Sequence, residues 1–453
     1  MFSNVPLPPS YDGKIRMRET LFSPRKPLPA QQEELDRLTQ FRYGDLTKRM
    51  LSGHLSFSEA FAAMCYALRV SNGWLAKQYF TGMEDFGNPG NLMAGREMLS
   101  CLAVKEAWGH LTPAEVAGMV AATMLDVVRY PDYGPTIFEN CGMGGDRGLH
   151  FNGETSYRKT INGSTLSTLV IASLGYKTAK HGSYSNTSSV GSTDAIERLG
   201  MVVDTPSVSA QDALAQTGFH FTCAHAWKTV HDLSHAPPRR ETVNHVVGPM
   251  TPPIDPVHTR LDKIVGVSEK LHPDVVVRAY EILREKGLIN LRHAAAVCGL
   301  DRDLGSGEIR FFERVREAVV LDELSPYASV VSILRNGKFV GTHEITPEMF
   351  GVVFQNPRSV FIRNEVDEIM DQNWKALRGQ ESGNQIPEYL AMNAAFSLYL
   401  IESLEDDPVS ESRGPDQDAL SSAFDRCYTA IKSGDVETYL QGLITHSRSL
   451  VAP

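Results

Sequence analysis

Two loops rich in glycine, serine and threonine, each followed by apolar residues at helical spacing, constrain this chain more than any other feature. The first loop reads NGST at residues 162–165, and the second spans residues 185–192 ahead of a helical pattern that Gly200 ends. A helix N-terminus presents unpaired N–H groups and a partial positive charge, and small residues let an anion come close. The two loops therefore predict a ligand with two separate anionic ends.

Two further motifs flank these loops. A glycine-rich turn, GMGGD at residues 142–146, follows a strand-like segment, and Lys180-His181-Gly182 ends a second predicted strand. Taken singly, a glycine-rich turn is usually only a turn, and a serine or threonine before a helix is usually only a cap. The concentration of all four motifs in one part of the chain favours phosphate binding over that simpler interpretation.

In their order, these motifs resemble those of the anthranilate phosphoribosyltransferase family and its relatives, the nucleoside-phosphorylase-like glycosyltransferases. That family carries a GTGGD loop, an NIST loop, a KHGN strand end and an SSxxGSAD loop. Here the corresponding segments are GMGGD at 142–146, NGST at 162–165, KHGS at 180–183 and TSSVGSTD at 187–194. The resemblance extends from about residue 45 to the end of the sequence.

The resemblance implies an α/β fold in which a small all-helical N-terminal domain packs on a larger α/β domain with a mostly parallel central sheet. We expect an N-terminal extension over residues 1–40 and a helical domain over 41–127, joined by helices from about 208–247. The α/β domain that binds the phosphoribosyl donor would span 128–453. Alternation of strand and helix patterns after Thr136 independently favours such a domain, with ligands at the carboxyl ends of the strands.

Local capping patterns predict where two helices of the helical domain begin. Ser56 precedes Glu59 at the spacing of a capping box, ahead of an apolar run. Thr112 is followed by Pro113 and then by Glu115, which suits a cap, a first helical position and a first turn. We therefore expect helices that start directly after Ser56 and Thr112.

Composition excludes some classes of partner. The net charge of -10 offers no general attraction to nucleic acid or to an anionic membrane surface. The six cysteines show no CxxC spacing and indicate reduced core residues. No signal-like run stands at the N-terminus, and no apolar stretch is long enough to cross a membrane. We expect a cytoplasmic protein, and the resemblance implies a homodimer.

The resemblance implies a phosphoribosyltransferase that uses 5-phosphoribosyl-1-pyrophosphate (PRPP) and Mg²⁺. Departure of pyrophosphate from the anomeric carbon leaves an oxocarbenium-like centre, so stabilising the leaving group matters more than a strong base. Lys180 and His181 are the predicted catalytic residues. The residues expected to contact PRPP are Gly142, Gly144, Gly145, Asp146, Asn162, Ser164, Thr165, Lys180, Thr187, Ser188, Ser189 and Gly191.

The acceptor side departs from the family pattern. The asparagine of KHGN is Ser183 here, and Tyr184 follows it. The arginine that holds the anthranilate carboxylate in the family falls on Ser234 or His235, and only arginine gives a permanent bidentate charge. We therefore expect a small aromatic or heterocyclic acceptor other than anthranilate. The residues expected to face it are His181, Ser183, Tyr184, His225, Lys228, Ser234 and His235.

The family's metal motif also appears altered. It reads GLDE, and its two carboxylates bind magnesium. Aligned on Gly299-Leu300-Asp301, this chain has Arg302 where the family has glutamate, and an arginine repels a cation. The predicted metal ligands are therefore Ser164, Asp301 and Asp303, with the number of magnesium ions left open.

An insert and two other functions remain open. Residues 147–159 form a polar connection longer than the family's, either a solvated loop or a lid over the phosphates. A nucleoside phosphorylase would run related chemistry with inorganic phosphate and a nucleoside. A non-catalytic relative would use the same fold for binding alone. The Asn-x-Ser-Thr and Lys-His-Gly motifs favour the transferase over the phosphorylase, and the acidic net charge argues against a relative that binds nucleic acid.

Overall fold

The computed structural model describes residues 27–71, 89–126, 136–185, 188–203, 213–223, 243–301, 316–380 and 383–450. Six of the predicted site residues lie outside these ranges, most of them on the acceptor side. They are Thr187, His225, Lys228, Ser234, His235 and Asp303.

Helices occupy the described chain before the sheet begins. They are α1 (Pro29–Arg37), α2 (Tyr43–Ser52), α3 (Phe57–Ser71), α4 (Pro89–Ala107) and α5 (Pro113–Thr123). Their apolar side chains form one core that continues onto one face of the sheet. Helix α1 belongs to the predicted extension, and it is anchored because the buried Gln31 side chain donates to the carbonyl of Ala121 at 2.8 Å.

Both predicted helix starts are confirmed. The backbone N–H of Glu59 donates to Oγ of Ser56 at 3.3 Å, and Oε2 of Glu59 accepts the N–H of Ser56 at 2.9 Å. The same reciprocal pair joins Thr112 and Glu115 at the start of α5. Such boxes satisfy two backbone donors that have no partner within the helix.

The sheet has eight described strands. They are β1 (Ile137–Gly142), β2 (Thr178–Gly182), β3 (Phe219–Cys223), β4 (Leu261–Gly266), β5 (Leu291–Leu300), β6 (Val319–Leu321), β7 (Ser329–Arg335) and β8 (Lys338–Ile345). Their order is β3-β2-β1-β4-β5-β7-β8, with β6 paired to β5. Strands β1 to β5 run parallel, and β6 to β8 are antiparallel, so the predicted mostly parallel sheet is confirmed.

Further helices cover the sheet. They are α6 (Gly163–Ser173), α7 (Ser192–Arg198), α8 (Asn244–Met250), α9 (Pro273–Glu285), α10 (Val366–Leu377), α11 (Ile386–Glu402), α12 (Gln417–Ser433) and α13 (Asp435–Ser449). Among the helices that the structure describes, none combines the length and the apolar character that a membrane crossing requires.

Alternate residues of the central strands enter two separate cores. Ile137 and Val265 join the core that includes α3, α5 and α9, whereas Phe138 and Ile264 join the core of α6, α11 and α12. Successive strand side chains point to opposite faces, so both faces of a covered parallel sheet must be apolar. This two-sided burial leaves the ends of the strands as the place where polar groups can gather.

The direction of winding reverses between β1 and β4. From β1 the chain moves outward to β2 and β3, and it then returns to place β4 and β5 on the other side of β1. Gly142 and Gly266 end these two strands in register. In open α/β sheets, ligands bind in the crevice at such a reversal, beyond the carboxyl ends of the strands. The glycine-rich turn and the start of α6 both follow this edge.

Candidate active site

An acidic segment crosses the carboxyl ends of β1 and β4. Asp322 directly follows β6, and its Oδ2 accepts the N–H of Gly144 at 2.7 Å. A Cβ atom on Gly142 would overlap the Asp322 carboxylate, and one on Gly266 would overlap the Asp322 carbonyl. The two glycines that end the strands therefore make room for a carboxylate at the winding reversal.

The next carboxylate, that of Glu323, lies at the start of α6. The hydroxyl of Tyr389 donates to its Oε1 at 2.8 Å, and Thr160 donates to the same oxygen. A Cβ on Gly163, the first residue of α6, would overlap this carboxylate. Burial and the neighbouring Asp322 raise the pKa of Glu323 to about 8. A cation at this position would relieve the repulsion between the two carboxylates.

A third carboxylate comes from the glycine-rich turn. Burial and the nearby Asp322 raise the pKa of Asp146 to about 6, and Lys159 opposes that shift. The ammonium of Lys159 lies 2.9 Å from Oδ2 of Asp146. Three carboxylates therefore share the edge at which the predicted PRPP-binding turn lies.

Sequence reasoning missed Asp322 and Glu323. Residues 321–323 read LDE, the last three letters of the family's metal motif GLDE, and could have indicated them. The prediction instead placed that motif at Gly299-Leu300-Asp301. The N–H of Asp301 donates to the carbonyl of Ala318, before β6 begins, whereas Asp322 comes after β6 ends. Asp301 and Asp322 thus lie at opposite ends of the short antiparallel β5–β6 ladder. The Asp322 carboxylate is the one that accepts a hydrogen bond from the glycine-rich turn.

The first predicted loop leads into α6 as expected. Asn162 joins the two loops, because its Nδ2 donates to the carbonyl of Val190 at 2.9 Å while its Oδ1 accepts from Asn373 at 2.8 Å. Asn162 makes no side-chain cap to the helix, so it does not cover the first-turn N–H groups. Ser164 is partly exposed at that turn, whereas Thr165 is buried, and its hydroxyl has no hydrogen-bond partner within the described residues.

The second predicted loop leads into α7, but the side chain of Asp194 in that helix accepts hydrogen bonds from the loop's backbone. Oδ2 of Asp194 accepts the N–H of Gly191 at 2.9 Å and the N–H of Ser185 at 2.6 Å. Ser189 donates from its N–H and its hydroxyl to Asn364, at 2.9 and 2.7 Å. The donors of Ser185, Ser189 and Gly191 are thus used within the protein, and among the described residues the first loop is the better placed of the two for an anion.

Comparison with known proteins places this arrangement in a family. The model described as "Glycosyl transferase family, a/b domain" matches residues 135–301. The anthranilate phosphoribosyltransferase of Stenotrophomonas maltophilia (strain K279a) is 30% identical over 319 residues, which are 69% of this chain and 76% of that protein. That of Xanthomonas oryzae pv. oryzae (strain PXO99A) is 33% identical over 326 residues, 69% of this chain and 79% of the relative.

The chain belongs to the anthranilate phosphoribosyltransferase family. The predicted class of enzyme, a phosphoribosyltransferase among the glycosyltransferases, is confirmed with it.

Solved structures agree in fold. The anthranilate phosphoribosyltransferase from Thermus thermophilus gives a TM-score of 0.61 at 20% identity, covering 89% of this chain and 99% of that one. The Saccharomyces cerevisiae enzyme in complex with PRPP and Mg gives a TM-score of 0.58 at 18% identity, covering 97% and 99%. At these identities the likeness shows the fold alone.

Lys180, a family-motif residue at the end of β2, is completely buried. Its Nζ donates to the carbonyl of His181 at 2.6 Å. Burial lowers the pKa of Lys180, and the nearby Cys141 and Asp322 oppose that shift. Lys180 and Asp322 are therefore close enough for their charges to interact.

His181 belongs to a buried charged cluster with Glu139 and Lys263. The Glu139 carboxylate contacts both the His181 ring and the Lys263 ammonium, and all three side chains lie within the interior. Burial, reinforced by the Lys180 charge, holds the pKa of His181 well below its ordinary value, although a hydrogen bond to the backbone of Gly248 opposes the shift. The imidazole is therefore neutral near pH 7, without a fixed positive charge.

The other described acceptor-side residues lie just beyond β2. Ser183 is exposed, and its carbonyl accepts the N–H of Thr193 at 3.0 Å. The hydroxyl of Tyr184 donates to Oε1 of Glu197 at 2.8 Å, so the ring is held against α7. Ser183 stands where the family motif has asparagine, and Tyr184 is the residue that follows it.

The donors at the acidic edge suit a magnesium ion whose ligands come partly from the protein and partly from a substrate. Within the described residues, no three histidine, cysteine or carboxylate side chains converge to hold a metal ion by themselves. Mg²⁺ commonly takes one or two protein carboxylates and completes its shell with water and substrate phosphates. The adjacent oxygens of Asp322 and Glu323, with the Ser164 hydroxyl on the neighbouring helix turn, supply the kind of donors that such an ion needs.

Proposed function

We propose that this enzyme transfers the 5-phosphoribosyl group of PRPP to a small aromatic or heterocyclic acceptor other than anthranilate, with Mg²⁺ and with release of pyrophosphate. One observation carries the proposal. The Asp322 and Glu323 carboxylates lie across the winding reversal, against the glycine-rich turn and the start of α6. A pair of carboxylates beside a helix start that no side chain caps suits a metal-bound polyphosphate better than a free anion.

Asp322 and Glu323 would hold the ion, and the first turn of α6 would receive the pyrophosphate. When bound, Mg²⁺ neutralises charge that develops on the leaving pyrophosphate. The N–H groups after Gly163 and the Ser164 hydroxyl would donate to the same oxygens, so the leaving group is stabilised without a proton transfer. The backbone of Gly144 and Gly145 would lie against the ribose.

Lys180 and His181 would act differently from one another. Lys180, buried beside Asp322, would offset part of the negative charge at the edge without touching the donor. His181 would form part of the floor beneath the acceptor, held in one orientation by Glu139 and by the backbone of Gly248. A neutral ring in that position supplies shape and polarity but no anchor for a carboxylate.

The nature of the acceptor follows from what the described acceptor side offers. Ser183 replaces the family's asparagine, Tyr184 is held by Glu197, and His181 is neutral. These described groups can pack against and hydrogen-bond to a flat ring. In the sequence, the arginine that holds the anthranilate carboxylate in the family falls on Ser234 or His235, which favours an aromatic or heterocyclic acceptor without that carboxylate.

The test is a pyrophosphate-release assay with PRPP and Mg²⁺ over a panel of acceptors. The panel would pair anthranilate with uncharged aromatic amines, phenols and nitrogen heterocycles of similar size. We expect at least one uncharged ring to exceed anthranilate in kcat/KM by about tenfold or more, as an unpaired carboxylate implies. Ser164→Ala should abolish most release with every acceptor, whereas Ser183→Asn should change the ranking. Anthranilate as the best acceptor would contradict the proposal.

We also propose a homodimer in the cytoplasm. Leu51, Val104 and Trp108 are exposed apolar residues in the helical part of the chain, and their burial against a second copy would remove them from water. The six cysteines are free, as is usual in a reducing compartment. Sedimentation equilibrium of the full chain would test the dimer, and a monomer at micromolar concentration would contradict it.

A further inference from the structure

The insert at residues 147–159 is a hairpin fastened to the acidic edge. Leu149 and Arg158 exchange backbone hydrogen bonds of 3.0 and 2.9 Å, and the turn between them closes on Phe151. The N–H of Gly148 donates to the carbonyl of Val320 at 2.8 Å, which ties the first arm of the hairpin to β6. The insert is therefore an ordered element that reaches the strand leading to Asp322.

The second arm of the hairpin is held as firmly. Lys159 and Ile362 exchange backbone hydrogen bonds of 3.0 and 2.7 Å. Arg158 makes an ion pair with Glu154 and lies over the ring of Phe151, with 4.6 Å to its centroid. These contacts fix the backbone of Lys159, so its side chain starts from a defined position.

The side chain of Lys159 ends among carboxylates. Its ammonium lies 2.9 Å from Oδ2 of Asp146 and also donates to the Asp146 carbonyl, and the residue is 8% exposed. Within the described residues, neither Asp322 nor Glu323 forms an ion pair with a basic side chain within 4.0 Å. Lys159 is thus the fixed cation in direct contact with the three-carboxylate edge.

We propose that Lys159 is a built-in counter-ion of the donor site, which holds the Gly144–Asp146 turn closed before any metal binds and limits how strongly the free protein attracts divalent cations. An ammonium at ion-pair distance in a largely buried site offsets one carboxylate charge, and salt screens such a pair much less than an exposed one. The carboxylates left to attract the metal are then those of Asp322 and Glu323. This inference rests on the proposed function, because it assigns the role of the same site toward its metal.

Manganese titration of the free protein, followed by electron paramagnetic resonance of unbound Mn²⁺, tests the proposal without PRPP and without activity. Lys159→Met keeps the apolar stem but removes the charge, and we expect it to bind Mn²⁺ about tenfold more tightly than the unchanged protein. Lys159→Arg should keep the affinity of the unchanged protein. Lys338→Met, which removes an exposed lysine paired with Glu285, is the matched control and should change nothing.

A melting experiment gives the second readout. Without metal, Lys159→Met should melt below the unchanged protein, and added Mg²⁺ should raise its melting temperature more than that of the unchanged protein. Lys159→Gln, which keeps a donor for the Asp146 carbonyl, serves if the methionine variant does not fold. Equal Mn²⁺ affinity in the folded charge-removing variant and in the unchanged protein would overturn the proposal.

The two proposals fail separately. If the unchanged protein does not bind PRPP, the proposed function fails, yet the Mn²⁺ titration still reports the effect of Lys159 on the edge. If PRPP binds with Mg²⁺ but the Lys159 variants bind Mn²⁺ like the unchanged protein, the function stands and the counter-ion role is wrong.

Discussion

Two groups of charged residues lie near the same end of the sheet, and they differ in how their charges are balanced. In the buried cluster, Glu139 on β1 pairs with Lys263 on β4 in strand register and also contacts His181 on β2. The acidic edge lies three residues beyond Glu139 on β1, at Gly142, which is in register with Gly266 on β4. Asp322 and Glu323 cross the ends of the strands there.

The charges of the buried cluster serve folding, whereas those of the acidic edge are the ones that the proposed metal would neutralise. The buried cluster is closed to water, and an anion, a cation and a neutral ring satisfy one another there. At the edge, burial and, after it, the like charge of Asp322 raise the pKa values of Asp146 and Glu323, and Lys159 opposes this shift at Asp146. Carboxylates gathered at a winding reversal are the arrangement from which the proposed metal binding is argued.

The largest effect that we expect comes from breaking the buried cluster. Glu139→Gln leaves the Lys263 ammonium in the interior without a counter-charge, which should lower the free energy of unfolding by about 3–5 kcal/mol. Urea denaturation measures the loss. Lys263→Met should also destabilise, because Glu139 then keeps only a neutral imidazole beside it.

The double variant sharpens that prediction. Glu139→Gln with Lys263→Met removes both charges, and it should recover more than half of the stability lost in the single variants. The exposed Lys338–Glu285 pair provides a matched double-mutant cycle, for which we expect no measurable interaction free energy. Additive losses in the buried cycle would show that the two charges do not depend on one another.

The second effect separates the acidic edge from the cluster. Asp322→Asn can still accept the N–H of Gly144, but it loses the charge that would hold the metal. We expect kcat/KM for PRPP to fall by about 100-fold, or about 2.7 kcal/mol, with no loss of unfolding free energy in the free protein. Steady-state assays at saturating Mg²⁺ and urea denaturation measure the two quantities. A destabilised variant of normal activity would reverse the interpretation of the two groups.

The smallest effect concerns the second loop. Asp194→Ala removes the carboxylate that accepts N–H groups of Gly191 and Ser185, so unfolding free energy should fall by about 1 kcal/mol. Because these donors serve the protein itself, the KM for PRPP should stay nearly unchanged. If the KM rose strongly while stability held, the second loop would be the second anion site that the sequence pattern predicts.

Much of the fold could be predicted because the signals are local. The capping boxes at Ser56 and Thr112, the helix after Asn162 and the strand ending in Lys180-His181-Gly182 each depend on a few neighbouring residues. The family motifs added the mostly parallel sheet. Local chemistry of this kind is independent of the rest of the fold, so it can be read from the sequence.

The acidic edge and the buried cluster could not be predicted in the same way. Asp322 follows the antiparallel strand β6 and there reaches the glycine-rich turn. The letters LDE at residues 321–323 mark it as a candidate, but the sequence alone does not show that path. Glu139 and Lys263 meet through strand register, although they are 124 residues apart. The contacts of Lys159 depend on where the insert is anchored. Non-local pairings of this kind require the tertiary structure.

Calorimetric titration of the free enzyme with PRPP, with and without Mg²⁺, tests the central claim most directly. Inorganic phosphate and ribose 1-phosphate provide the comparison ligands. If the acidic edge holds a metal-bound donor, PRPP binds tightly with Mg²⁺, binds far more weakly in chelator, and loses its magnesium dependence in Asp322→Asn. Binding of PRPP that is equally tight without a divalent ion, or binding of phosphate and ribose 1-phosphate alone, would contradict the account.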